Sequence, residues 1–394
     1  MNKFQTPIVR PLAETIGTPI VQRDRRQLLG HATALPGPAI GTEELCERIS
    51  RNFSIPTHRH VRVIAPRLAV HRRHLCRDFT SAQEAPRPSS RNPELAAQAV
   101  SLALNRANIP VSALAYLISH TATPAQLLPG GSAEIARLLG YTGPHVELRQ
   151  ACTGFANALQ FAFALTSHAD AAPVAIVGVE TGSVYFSPEL LQRDSSQWIN
   201  FLQMGDGAAA VIIGARREVD PASLIAKQDG SSSAQKWISH AYFGQCQQAP
   251  AAGLRLAFGG SDRSAAPTGP LYFEHDFTSV AKHGAMLLDA GREVLRKHGI
   301  DIHQADFIVP HQASGAVAPW LAKYWDIPID RISRHAQEVG NLGSASIWAA
   351  LDHAITSRQQ VTVSPPNTNM AERRCIFLGA EATQYSYGGF VLED

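Results

Sequence analysis

No run of this 394-residue chain stays apolar over the roughly 20 residues that a membrane-spanning helix needs. The start, Met1-Asn2-Lys3-Phe4-Gln5-Thr6-Pro7, also lacks the apolar core of a secretion signal. Net charge is small: 35 Lys and Arg against 33 Asp and Glu leave +2, too little for a nucleic-acid footprint. The basic run His71-Arg72-Arg73-His74 is short and reads as solvated surface. Five cysteines (Cys46, Cys76, Cys152, Cys246, Cys375) are odd in number and widely spaced, and no pair has zinc or redox spacing. That argues against a disulfide framework and for reduced thiols in a cytosol. Glycine and proline form no tract. The expectation is a soluble cytoplasmic globular protein, 45% hydrophobic and long enough for two packed cores.

Residues 1–26 are polar, with prolines and Arg23-Asp24-Arg25-Arg26, and read as a loosely packed or disordered extension. From Leu28 onward strands and helices alternate. Strands are expected at Leu28–Leu35, Tyr116–His120, Val174–Val179, Gly207–Ile213, Phe307–Val309, Val361–Val363, Ile376–Leu378 and Phe390–Leu392. Helices are expected at Glu43–Arg51, Glu94–Asn108, Ser132–Leu139, Cys152–Ser167, Phe277–His298, Ala316–Tyr324 and Ser344–Ser357. The helix after Cys152 is almost wholly small or apolar and should be buried on all sides. Val219–Pro270, rich in Ser, Gly, Ala and Gln, reads as a linker with irregular excursions. The alternation argues for α/β architecture, with sheets covered on both faces.

Three segments carry chemistry. Arg149-Gln150-Ala151-Cys152-Thr153-Gly154-Phe155 places a thiol where a strand turns into a helix. Free N–H groups and the positive dipole end at such a point lower a thiol pKa from about 8.5 and favour the nucleophilic thiolate. Against this stands a plain packed thiol, the reading kept for the other four cysteines. Val309-Pro310-His311-Gln312 delivers an imidazole at the carboxyl end of a strand, where α/β sheets bind ligands. Gly340-Asn341-Leu342-Gly343-Ser344 sets a carboxamide on flexible backbone before a helix, where a turn residue and an N-cap serine are the plainer explanations. Together, a neutral imidazole and a carboxamide supply two uncharged donors to the enolate left when a malonyl thioester loses carbon dioxide.

These motifs, in this order and with His311 and Asn341 thirty residues apart, resemble β-ketoacyl-ACP synthase III and its secondary-metabolism relatives in the thiolase superfamily. The resemblance spans roughly residues 27–394. It implies a five-layered αβαβα thiolase fold of two similar halves, here 27–218 with the cysteine and 219–394 with the histidine and asparagine, and a homodimer. It also implies that Cys152 carries the acyl group while His311 and Asn341 hold the extender and steady its enolate. An acyl carrier protein and acyl thioesters are the implied partners, and no metal, nucleotide or flavin cofactor is needed. Arg67 matches an arginine that meets the CoA or pantetheine phosphate.

Four departures qualify the match. Val63 stands where relatives stack the CoA adenine on a Trp. Ser314 replaces an Asn, and Ala316 falls at a basic position near the carrier dock. Ala382, Thr383 and Gln384 occupy positions usually held by glycine in the loop that supplies an oxyanion-hole N–H. Leu128 sits where head-to-head condensing relatives carry a glutamate base, so no carboxylate is offered there for direct α-proton abstraction. The favoured expectation is acylation of Cys152 followed by decarboxylative Claisen condensation, in fatty acid or polyketide-like biosynthesis. The alternative is another acyl transfer on the same fold: to a hydroxyl or amine, or joining two carrier-bound chains towards a dialkylresorcinol- or pyrone-type product. A partner subunit without turnover is the third reading.

Overall fold

The computed structural model describes residues 19–81, 90–216, 235–246, 251–257, 271–360 and 373–394. The first half runs β1 (Val21–Gln22), β2 (Arg26–Ala34), β3 (Ile40–Gly41), α1 (Thr42–Phe53), α2 (His58–Leu68), β4 (Arg72–Arg73), α3 (Asn92–Ala107) and β5 (Tyr116–His120). It continues with α4 (Gly131–Leu139), β6 (His145–Leu148), α5 (Gly154–Leu165), β7 (Val174–Glu180), α6 (Pro188–Arg193), α7 (Trp198–Gln203) and β8 (Gly207–Ile213). The second half runs β9 (Lys236–Gln245), β10 (Leu254–Ala257), β11 (Tyr272–His275), α8 (Phe277–Lys297), β12 (Phe307–Pro310), α9 (Val317–Trp325), α10 (Ala336–Val339), α11 (Ser346–Gln360), β13 (Arg374–Glu381) and β14 (Ser386–Glu393).

The halves repeat one plan. In the first, strands lie in the order β6-β5-β7-β8-β2, with β6, β5 and β7 parallel and β8 and β2 each reversing direction. In the second the order is β12-β13-β14-β9, with β12 and β13 parallel and β14 and β9 each reversing. The pairing of β2 with β9, Arg26 opposite Ile238 and Leu28 opposite Lys236, joins the two half-sheets. The strand expected at Val361–Val363 lies outside the described residues.

Side-chain alternation along these strands assigns the layers. Ile118, Ile176 and Val211 face a central core shared by α5 (Phe155, Leu159, Phe163) and α11 (Trp348, Leu351, Ile355), closed from the other side by Phe377 and Phe390. Their neighbours Leu117, Val177 and Ile212 face an outer core under α3 and α4. Ile308, Ile376 and Val391 face the opposite outer core under α8 and α9. Strands buried on both faces read as unbroken apolar runs, which is why β7 and β8 are legible in the sequence. The result is helix, sheet, helix, sheet, helix: the five-layered thiolase fold. A fourth cluster, including Leu45, Ile49, Phe79 and Phe201, holds α1, α2, α6 and α7 as a cap.

Three expectations need correction. The supposed linker Val219–Pro270 contains β9, which pairs with β14, β2 and β1 in the middle of the sheet. Val21 and Gln22, inside the supposed extension, pair with Tyr242 and Ala241. The helix after Cys152 is not buried all round, because Phe161 and Leu165 are 45% and 40% exposed. Among the described residues no helix is long and apolar enough to cross a membrane.

Candidate active site

Cys152 precedes α5, which begins only at Gly154 with Thr153 at its N-cap. The elbow is fixed from both sides. Gln150 N–H donates to the Leu148 carbonyl at the end of β6 (2.9 Å), and Gly154 N–H donates to the Ala151 carbonyl (3.0 Å). Glycine is required at 154 because a Cβ there would lie 2.5 Å from Nδ1 of His120.

His311 follows β12, and its N–H donates to the Leu378 carbonyl of β13 (2.7 Å). The imidazole is buried, and burial lowers its pKa to about 4, so it is neutral at pH 7. Asn341 is tied to the end of α7 in both directions: its N–H donates to the Gln203 carbonyl (2.8 Å) and its carbonyl accepts from Gly205 N–H (3.0 Å). Gly340, at φ +75, makes the turn that brings it there. The Asn341 side-chain oxygen accepts from Gly343 N–H (3.0 Å) and Ser346 Oγ (3.3 Å). With the oxygen so occupied, the amide NH₂ is the end turned to other partners.

Two buried carboxylates join these segments. Glu180, at the end of β7, accepts from Ser344 N–H (3.0 Å), Ser344 Oγ (2.8 Å) and Thr123 Oγ1, while Ser344 Oγ also lies 3.2 Å from the Gln150 carbonyl. Ser344 therefore ties the Asn341 loop to the Cys152 elbow and does not cap a helix; a 3₁₀ turn, Gly343–Ala345, precedes α11. Glu381, at the end of β13, accepts from Thr153 N–H (2.8 Å), Thr153 Oγ1 (2.6 Å) and Thr383 Oγ1. β13 thus carries both the backbone partner of His311 and the carboxylate that holds the start of α5. The loop avoids positive φ at Ala382, Thr383 and Gln384 and places it at Tyr385 (φ 49).

The expected acidification of Cys152 is overturned. Its thiol is pushed well above the ordinary range, by burial first and then by the negative charges of Glu381 and Glu180. The helix start does offer a free N–H, but Glu381 takes it, so the dipole favours that carboxylate over a thiolate. Alkylation of Cys152 by iodoacetamide is therefore expected to keep accelerating beyond about pH 8.5, the ordinary thiol pKa. Glu381→Gln removes a negative charge, which lowers the thiol pKa and moves the rate–pH curve to lower pH. An unshifted curve would exclude Glu381 as a cause.

Sequence reasoning missed His120 and His335 as well as Glu381. His120 ends β5, fully buried behind the elbow; Trp348 Nε1–H of α11 donates to its Nε2 (3.2 Å), and burial lowers its pKa to about 3. Its place at the carboxyl end of an apolar strand is the signal that marked His311. His335 precedes α10 and lines a cleft with His311. Arg67 lies in the cap on α2, exposed and one helical turn from Val63, which is 46% exposed.

The family profile described as 3-Oxoacyl-[acyl-carrier-protein (ACP)] synthase III matches residues 146–230, and that described as its C terminal matches 295–363. The Beta-ketoacyl-[acyl-carrier-protein] synthase III of Xanthomonas oryzae pv. oryzae is 28% identical over 257 residues, covering 65% of this chain and 72% of its own. Among solved structures, AbyA1, a tetronic acid condensing enzyme, superposes with a TM-score of 0.73 at 20% identity, over 94% of this chain and 100% of that one. 3-Oxoacyl-(acyl carrier protein) synthase III (FabH) from Pseudomonas aeruginosa PAO1 gives 0.64 at 22% identity, over 94% and 98%. With its repeated half-sheets and both profile matches, the chain is similar to the β-ketoacyl-ACP synthase III-like condensing enzymes of the thiolase superfamily and is an acyltransferase.

Proposed function

We propose that the protein loads an acyl thioester on Cys152 and condenses it with a carrier-bound malonyl-type extender, losing carbon dioxide and releasing a β-ketoacyl thioester. The observation that carries this reading is the pairing of two uncharged donors: a His311 kept neutral by burial and an Asn341 whose oxygen is already taken. Such donors stabilise an enolate oxygen without first breaking an ion pair. Splitting the reaction into acylation and condensation is the gain from a covalent nucleophile. The reading places the enzyme in the cytoplasm as a homodimer, with an acyl carrier protein as partner and no resident cofactor. Leu127 and Leu128, 66% and 86% exposed in the loop between β5 and α4, give a second copy apolar surface to cover. Release of labelled carbon dioxide from malonyl carrier, dependent on prior acylation, tests the reading.

A second reading, acyl transfer to a hydroxyl or amine or joining of two carrier-bound chains, draws support from Ala382, Thr383 and Gln384 in the loop that relatives build from glycine, where Thr383 Oγ1 donates to Glu381. Product formation without release of carbon dioxide would favour it.

The donor is expected to be a carrier protein. Val63 offers no aromatic face to an adenine, and stacking on one contributes about 1–3 kcal/mol. That corresponds to roughly five- to a hundredfold in affinity. Arg67 remains available to the pantetheine phosphate that CoA and carrier share. kcat/KM for acylation of Cys152 should therefore be higher with the acyl carrier than with the same acyl chain on CoA. Equal or better use of CoA would reject the inference from Val63.

A further inference from the structure

Decarboxylative condensation, on which this inference rests, consumes a proton in every turnover. Carbon dioxide departs from the extender, the new C–C bond forms, the acyl C–S bond to Cys152 breaks, and the thiolate left behind must be protonated. Burial and two carboxylates make that thiolate strongly basic, so it has to be supplied from somewhere. Acylation makes no such demand, because the proton lost by the Cys152 thiol is balanced by the one gained by the departing thiol.

His311 has a second face suited to that supply. Its Nδ1 is buried and has no hydrogen-bond partner among the described residues. A buried imidazole nitrogen without a partner is costly and calls for an explanation. His311 forms one wall of a cleft with about 20 Å³ of water-accessible volume, with His335, Gly340 and Ser346 on the others. A water needs about 10–15 Å³ of such volume, so the cleft has room for a single water between polar walls. His335 is partly exposed and lines the same cleft. The ring is held by stacking on the exposed imidazole of His353, with centroids 4.7 Å apart and planes 18° from parallel.

We propose that this cleft is the proton inlet of the enzyme: His335 takes a proton from solvent and hands it, through water in the cleft, to Nδ1 of His311, which serves the reacting atoms. A neutral imidazole accepts a proton at one nitrogen and releases one from the other, so no charge is stranded in the interior. Burial and the neighbouring His353 disfavour a lasting charge on His335, and only Asp352 favours one. Asp352 is itself engaged by His31 and Arg106, each at 2.7 Å. His335 is in these terms a positioning residue that acts through His311.

The test uses the full-length protein with His335→Gln and His335→Phe, the first keeping polarity and the second keeping a packed ring against His353. Three quantities are measured: acyl uptake on Cys152, carbon dioxide release from malonyl carrier, and recovery of that release with added imidazole. The expected result is normal acyl uptake with condensation slowed about tenfold, and recovery as the concentration of the small proton donor rises. Unchanged condensation in both variants overturns the proposal. So does a loss that spreads equally to acyl uptake and resists imidazole, which marks His335 as packing alone. If the unaltered enzyme releases no carbon dioxide at all, the decarboxylative reading fails, and the proton demand fails with it.

Discussion

Cys152→Ala is expected to abolish acyl uptake with every donor, CoA or carrier, as read by intact mass after incubation. No other thiol shares its setting. Cys46 is buried in the cap and pushed up to about 12, mainly by burial. Cys76 and Cys375 are buried, and Cys246, partly exposed on the strand side of Tyr385, is also raised by burial. Only Cys152 lies just ahead of α5, between Glu180 and Glu381, on the loop tied to Ser344. An acyl adduct mapped by peptide mass to any of the other four would reject the assignment.

His311→Ala and Asn341→Ala are expected to split the two half-reactions. Both should still load Cys152, while condensation falls by about a hundredfold or more, the usual loss when an oxyanion donor is removed. Asn341→Asp sharpens the test. A carboxylate can still accept from Gly343 N–H and Ser346 Oγ, so the loop keeps its shape while the two donors of the amide disappear. Normal condensation in Asn341→Asp would show that this side chain only holds the turn. Loss of acyl uptake in His311→Ala would move the imidazole to the first half-reaction.

The order of elements was legible where burial on both faces makes the sequence continuous. β7 and β8 are uniformly buried, and the expected bounds agree with the observed ones to within a residue. β9 was hidden by its own geometry. His240 takes a positive φ of 51 where the pairing with β14 shifts register, so apolar residues no longer alternate along it. Cys152, His311 and Asn341 were legible as candidates because each lies in a compact local motif at the end of an element. The electrostatics of the thiol were not, because Glu381 reaches Thr153 from 228 residues away. A rule about helix starts sees the dipole but not the distant carboxylate that has claimed it.

The pairing of β14 with both β13 and β9 has a bearing on how the enzyme comes into being. Residues 386–393 enter between strands already flanked by others, and one of those neighbours lies about 150 residues earlier in the chain. Closing such long separations is slow, because chain entropy is lost before the contacts that repay it exist. Until that strand seats, Glu381 and Ser386 are not held against Thr153, and the nucleophile stands without its surroundings. The surroundings that raise the thiol's pKa therefore form late, and a clipped form that lacks this segment would hold a thiol nearer the ordinary range.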